Sequence, residues 1–243
     1  ARKHRVMPEE IDALHRRLQE ELQGLADGGE RIAQLEEDMA QLSQKYNDAA
    51  TKLGKKRRTA ARKLEKEARK VLATLAMEQC QLEIALQPRE SADPHPHGAE
   101  DIEFLISTNP GSPTQALGKI ASGGELSRIS LAIQVVTASS STVPSMVFDE
   151  VDVGVGGAVA EVVGKLLRAL ADKTQVLCVT HLPQVASQGQ HHLQVSKNSD
   201  KKSVETSMVR LHEEEKVQEI ARMLGGVKIT EQTLAHAREM LEA

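Results

Sequence analysis

Aromatic side chains are nearly missing from this 243-residue sequence: Tyr46, Phe104 and Phe148 are all there are, and there is no Trp. A large globular core ordinarily draws on more rings than that, whereas long helices of Leu, Ala, Glu, Lys and Arg need none. Cysteine is scarce too. Cys80 and Cys178 each sit in an apolar, strand-like stretch, which excludes a disulfide-built scaffold and suggests buried free thiols in a reducing compartment. No apolar run approaches the ~20 residues that span a bilayer, and the first residues carry no signal-peptide pattern. The expectation is a soluble intracellular chain with no membrane partner. The chain also opens at "ARKHRV" without Met, which reads as a piece of a longer protein. The net charge of −4 excludes little, because the charges are unevenly distributed.

What is present divides at about residue 78. From Pro8 to about Met77, apolar residues recur at three- and four-residue steps: Ile11, Leu14, Leu18, Leu22 and Leu25, then Ile32, Leu35, Met39, Leu42, Tyr46, Ala49 and Leu53. This is the seam of a coiled coil. Asp27-Gly28-Gly29 interrupts it and predicts a break or kink, while Pro8 with Glu9 and Glu10 suits a first helical turn. Seventy helical residues would reach roughly 100 Å. A lone helix cannot bury such a seam, so residues 1–78 are expected to be a coiled-coil arm: a hairpin folded on itself at Asp27–Gly29 would be lopsided, and an antiparallel partner from elsewhere is the favoured reading.

Within this arm, Lys52–Lys70 carries ten Lys or Arg against two Glu. Charge runs on helices are commonly just solvated faces. This one is strongly one-signed, and a basic row of that density attracts a phosphate backbone without reading its sequence. Lys55, Lys56, Arg57, Arg58, Arg62 and Lys63 are the candidate DNA contacts.

Residues 79–243 read differently, with short apolar strands alternating with helices. The strands are expected at Gln81–Leu86, Ile102–Thr108, Ser145–Glu150 and Gln175–His181, with a ribbon at about residues 191–211. Helices are expected after Gly124, over Val159–Ala171, and near the end over Glu215–Leu224 and Thr230–Leu241. This alternation predicts an α/β lobe with a parallel-rich sheet flanked by helices. His95 and His97 lie in the turn-rich stretch "QPRESADPHPHG" with no supporting cysteine or carboxylate cluster, so a solvated loop is expected rather than a metal site.

Three places in the lobe carry chemistry. Ser122-Gly123-Gly124 stands directly before a helix that opens at Glu125, with apolar Leu126, Ile129, Ile133 and Val136 on one side. A helix N-terminus leaves N–H groups unpaired and is partly positive, and glycines let a phosphate approach them. The competing reading is that Ser122 merely caps the helix and the glycines make a turn. Next, "SMVFDE" ends a buried strand in Asp149 and Glu150. One carboxylate could hold a magnesium ion through water while the other orients and deprotonates an attacking water. Adjacent strand residues point opposite ways, so these two share a task only where the chain is already turning. Last, "QVLCVTH" ends a second strand in His181. Ligands of open parallel sheets gather at such carboxyl ends.

The order and spacing of these three places resemble the ATP-binding-cassette ATPases and, within them, the SMC-like group. Ser122-Gly123-Gly124-Glu125 is similar to the family's signature loop, with Glu125 where transporters usually carry Gln. Ser145–Glu150 resembles Walker B, Val151-Asp152 the D-loop and His181 the switch histidine. "KIASGGELSR", "FDEVDVGVGG", "VTHLPQVA", "EIARMLGG", "FLISTNPG" and "KHRVMPEE" together span nearly the whole chain. They narrow the resemblance to the DNA-repair members of that group.

The resemblance implies the C-terminal lobe of an SMC-like ATPase head, with ATP and Mg2+ as cofactors, acting in double-strand-break repair. It also implies a cytoplasmic, nucleoid-associated protein whose partners are sequence-independent DNA and a second copy paired through ATP-sandwiched heads. By residue, Asp149 would hold the magnesium shell, Glu150 would act as general base and His181 would contact the γ-phosphate or the water. Ser122, Gly123, Gly124 and Glu125 would face a nucleotide held by the opposite subunit, with Asp152 at the dimer seam. A P-loop, GxxxxGK[ST], is missing. Gly164-Lys165 is followed by Leu166 with Val159 in the first glycine position, and Gly118-Lys119 is followed by Ile120. The P-loop and the opposing arm helix are therefore expected from an N-terminal half of the same protein, and this chain alone is expected to be inactive. Two alternatives stay open: an architectural DNA-organising module without turnover, and another SMC-like chromosome ATPase.

Overall fold

The structure is a computed structural model and describes residues 7–91, 93–108, 111–119, 122–200, 203–226 and 229–242. Residues 3–6 of "KHRVMPEE", Asn109 and Pro110 of "FLISTNPG", and Ile120 and Ala121 of "KIASGGELSR" lie outside the described residues. The chain divides into two units, Ala1–Arg57 with Pro88–Asp101, and Arg58–Gln87 with Ile102–Ala243.

The three-and-four spacing does produce a helix. A 3₁₀ turn at Pro8–Glu10 leads into α1, Ile11–Thr74. Its start is tied by the Met7 N–H, which donates to the Glu10 carboxylate at 2.7 Å. The expected break at Asp27–Gly29 does not occur, and α1 is one uninterrupted 64-residue helix. Each internal glycine costs a helix about 1 kcal/mol. That is small beside the backbone bonds of so many turns, which are reinforced by pairs such as Gln34 donating to Asp38 at 3.0 Å. The seam residues Leu22, Leu25, Ile32, Met39 and Leu42 are all exposed.

In the first unit, the described residues of 89–99 form the largely exposed loop that was expected, and two interactions tie it down. The His95 N–H donates to the Tyr46 hydroxyl at 3.1 Å, and Arg89 pairs with Asp101 at 2.6 Å. The Glu100 carboxylate rests against Gly54, 2.7 Å from where a Cβ would stand. The two histidine rings lie 5.3 Å apart, and no group of three potential metal ligands exists among the described residues.

The second unit contains the core. The strands are β1 (Gln81–Pro88), β2 (Glu100–Ser107), β3 (Gln115–Ala116), β4 (Ser145–Phe148), β5 (Gln175–Cys178), β6 (His192–Asp200) and β7 (Ser203–Leu211). The helices after α1 are α2 (Gly123–Thr137), α3 (Gly157–Ala171), α4 (Pro183–Ala186), α5 (Glu213–Gly225) and α6 (Glu231–Glu242). Leu72 and Leu75 from the end of α1, Ile106 of β2, Ile129 and Leu131 of α2, and Val163 and Leu170 of α3 are fully or almost fully buried together. Each such side chain contributes about 1.5–3 kcal/mol by leaving water. Val217, Ile220 and Ala221 of α5 close a smaller cluster on Ala237 of α6.

The α/β class expected from the sequence is the one observed, but a single parallel-rich sheet is not. Three small sheets form: β1-β2-β3, β4-β5 and β6-β7. Parallel pairing among the described residues is that of β4 with β5, joined through α3; β2-β3 and β6-β7 are antiparallel. The difference follows from connection length. A strand pair joined by a tight turn must be antiparallel, and only a helical crossover returns the chain in parallel. No described helix is long and apolar enough to cross a membrane. Both cysteines are free thiols. Burial, with smaller contributions from nearby carboxylates, pushes Cys80 up to about 11 and Cys178 up to about 12.

Candidate functional site

The site is assembled by one pairing. β4 and β5 run parallel with Ser145 opposite Gln175 and Phe148 opposite Cys178. The Val179 N–H then donates to the Phe148 carbonyl at 2.9 Å. Both chains therefore leave the sheet at the same end, and Asp149-Glu150 and Thr180-His181 emerge side by side. Met146 and Phe148 point into the core while Val147 is 71% exposed.

The chain turns immediately after Phe148. Glu150 has φ 58°, in the left-handed region that non-glycine residues seldom occupy, and its N–H donates to the Asp149 carboxylate at 2.9 Å. The alternation that would send the two acids to opposite faces is broken at that point. Backbone held this way costs on the order of 1–3 kcal/mol and persists only where neighbours impose it. Here Ser127 Oγ of α2 donates to the Asp149 carbonyl at 2.8 Å, and Arg128 Nη1 donates to the Val153 carbonyl at 2.7 Å.

Ser122 is the N-cap of α2, and its hydroxyl oxygen accepts from the Glu125 N–H at 3.4 Å. The capping reading thus holds, and the cap leaves the helix nose glycine-lined. Gly124 is buried against the turn after β4: a Cβ there would meet the Val153 carbonyl at 3.1 Å and the Val153 Cβ at 3.3 Å. Gly123 is exposed, and the space beside its Cα is taken by the Glu150 carboxylate of the same chain. A carboxylate is favoured at this spot by the unpaired N–H groups and the positive end of the helix.

Asp152 is 2% exposed. Its carboxylate accepts a short hydrogen bond from the Thr180 hydroxyl and lies 3.7 Å from His181 Nδ1. It is spent within the chain rather than presented at a surface. His181 itself is 71% exposed. For magnesium, Asp149 is an exposed carboxylate at the strand end. That is the donor set Mg2+ accepts when one carboxylate is supplemented by water and phosphate oxygens.

On α1, Lys55, Lys56, Arg58, Arg62 and Lys63 are exposed, whereas Arg57 is half-buried beside Gly98. Lys66, Arg69 and Lys70 continue the basic row. Lys70 pairs with Glu67 at 2.9 Å, a bond that, with Lys66 and Lys63 nearby, lowers the Glu67 carboxyl. The acids, the histidine and the glycine nose are brought together at one place, and the basic row is a separate feature. Thr180 and Arg128 were not singled out from the sequence. Nothing in it signals Thr180, because its role depends on β5 lying beside β4.

No protein-family profile matches the chain. Solved structures with which the chain aligns include SMC heads. An Smc head with coiled coil and joint from Pyrococcus yayanosii aligns at 19% identity and TM-score 0.48, over 68% of this chain and 29% of that one. An SMC ATPase solved in work on ATP-driven dimerisation and DNA-stimulated activation aligns at 16% identity and TM-score 0.43, over 71% and 96%. Curated sequences are far nearer. The DNA repair protein RecN of Vibrio cholerae is 49% identical over 243 residues, all of this chain and 44% of that protein. The RecN of Halalkalibacterium halodurans is 39% identical over 227 residues, 93% of this chain and 40% of that protein. The chain belongs to the RecN family of DNA repair proteins. It spans less than half the length of these curated relatives and matches their C-terminal part.

Proposed function

We propose that this chain is the signature-loop and Walker B lobe of an SMC-like DNA-repair ATPase, in which ATP pairs two heads and hydrolysis separates them. The observation that carries the reading is the shared exit of β4 and β5 beside the glycine nose of α2. Asp149 would hold magnesium, whose charge would steady the phosphates. Glu150 is the general base and swings off Gly123 to reach its water. His181 contacts the γ-phosphate or that water. Ser122, Gly123, Gly124 and Glu125 offer their donors to a nucleotide bound by a second copy.

The P-loop comes from the N-terminal part of the protein. Support for that part docking here is an open groove of about 1000 Å³ between β5 and β6. Its walls include exposed Leu177, Val179, Leu193 and Val195. His192 Nε2, buried and without a hydrogen-bond partner among the described residues, faces the same groove. The exposed seam of α1 likewise suits an antiparallel helix, and the basic row of α1 suits a DNA backbone bound without sequence preference. The protein works in the cytoplasm, at the nucleoid.

Removing a general base typically slows hydrolysis about 10²–10⁴-fold. In the complete protein, Glu150→Gln should lose turnover by that factor and accumulate ATP-bound dimers on size-exclusion chromatography. Hydrolysis at the parental rate in that variant removes Glu150 from the role. A parental protein whose DNA binding proceeds with no ATP turnover at all points instead to an architectural module.

A further inference from the structure

The buried charge of the lobe has an unassigned partner. Among the described residues, the buried polar side chains are Ser107, Asp152 and Ser187, and of these only Asp152 is an acid. A carboxylate taken out of water is strongly unfavourable unless hydrogen-bonded, and what meets it is Thr180. The Thr180 hydroxyl donates to Asp152 Oδ2, and the same hydroxyl oxygen accepts from the Leu182 N–H at 3.0 Å. Residues 180 and 182 flank His181. One hydroxyl therefore closes the turn that carries the histidine and fastens that turn to the loop following Glu150. His181 Nδ1, 3.7 Å from Asp152, is too far for a hydrogen bond of its own. The exposed imidazole is held at its base, through its neighbours.

We infer that Thr180 is a positioning residue. By bridging Asp152 to the backbone of Leu182, it sets His181 relative to Glu150, so that both reach the same phosphoryl group. This rests on the proposal that Glu150 and His181 serve ATP hydrolysis. Thr180 touches neither nucleotide nor water in this account; it acts through Asp152 and the histidine turn. Partners of this kind, one layer behind the reacting groups, typically matter about 10–100-fold.

The test is steady-state ATP hydrolysis by the complete protein. Thr180→Val keeps the side-chain shape and removes the hydroxyl, and kcat should fall about tenfold or more with KM for ATP within about twofold. Thr180→Ser, which restores the hydroxyl, should return kcat to within about threefold of the parent. A merely structural threonine would not give that split and that rescue. Asp152→Ala should show the same loss in kcat alone, and the double variant should be no slower than the slower single one, as expected for residues acting as a unit. Parental kcat in Thr180→Val, failure of Thr180→Ser to restore it, or losses that multiply would each overturn the inference. If Thr180→Val does not fold, Asp152→Ala decides, and parental kcat there overturns it. A parent that does not hydrolyse ATP removes the proposed function and this inference with it. An active parent with an unimpaired Thr180→Val removes the inference alone.

Discussion

Adjacent glycines at the nose of α2 should respond unequally in stability to the same added methyl group. In Gly124→Ala the new Cβ would stand 3.1 Å from the Val153 carbonyl oxygen and 3.3 Å from the Val153 Cβ, with Arg128 Nη1 at 3.4 Å. Backbone has to give way there, at a carbonyl that Arg128 already holds by a hydrogen bond. Overpacking of this kind costs about 1–3 kcal/mol, and replacing glycine by alanine in a helix returns about 0.5–1 kcal/mol. The net is a loss of about 1 kcal/mol, or about 2–4 °C in melting temperature for a lobe of this size. In Gly123→Ala the added methyl meets the Glu150 carboxylate instead. That is the far end of a flexible, exposed side chain, which can swing into solvent, so stability should change by no more than about 0.5 kcal/mol. Calorimetric melting of both variants separates the two effects. If Gly124→Ala melts at or above the parent, or Gly123→Ala melts lower than Gly124→Ala, the packing described between α2 and Val153 is wrong. In the complete protein, the proposed ATP-dependent pairing of heads, read by size-exclusion chromatography, should weaken in both variants, because a methyl on either glycine narrows the approach to the helix N–H groups.

Two further outcomes follow from charge. Replacing Lys55, Lys56, Arg58, Arg62 and Lys63 by Ala should weaken DNA binding uniformly across sequences. It should also flatten the log–log salt dependence by about 0.9 for each phosphate no longer neutralised, measured by fluorescence anisotropy at several salt concentrations; an unchanged slope removes the row from the interface. The Glu219 carboxyl is held below its usual 4.5, first by its hydrogen bond to Arg222, against the opposing effect of burial, with Gln194 adding a second bond. A depressed carboxyl pKa stabilises the fold above the unfolded value, and that stability disappears as pH falls from about 4.5 through the folded value. Glu219→Gln should therefore flatten the acid limb of a pH–stability curve measured by urea denaturation, and an acid limb of parental steepness in that variant would refute it.

The helical arm was legible because its signal is local. Ile11, Leu18, Leu25, Ile32 and Leu42 announce a helix by spacing alone, and a helix closes its hydrogen bonds within the segment. The same reading failed at Asp27–Gly29, where short-range breaker rules were outweighed by the cooperativity of a long helix. The loop between Pro88 and Glu100 was legible as a loop, from its turn-forming residues. Its hydrogen bond to Tyr46 was not, because interactions across such sequence distance leave no mark on spacing.

The motifs of the site were equally visible: Ser122-Gly123-Gly124, Asp149-Glu150 and His181 could each be found by residue type and order. Their mutual arrangement could not. Strand periodicity states which face is buried, yet it does not state which strand lies alongside, so one parallel sheet was expected and three small sheets formed. The pairing of Phe148 with Cys178 brings the acids beside the histidine and supplies Thr180 as the donor to a buried Asp152. The left-handed turn at Glu150 and the carboxylate resting on Gly123 depend on α2 packing against that turn. By itself, then, the sequence determined the elements and the chemical groups they carry, because those follow from short-range sterics and hydrogen bonding. Only the tertiary structure decided which groups meet, because that depends on packing between segments far apart in the chain.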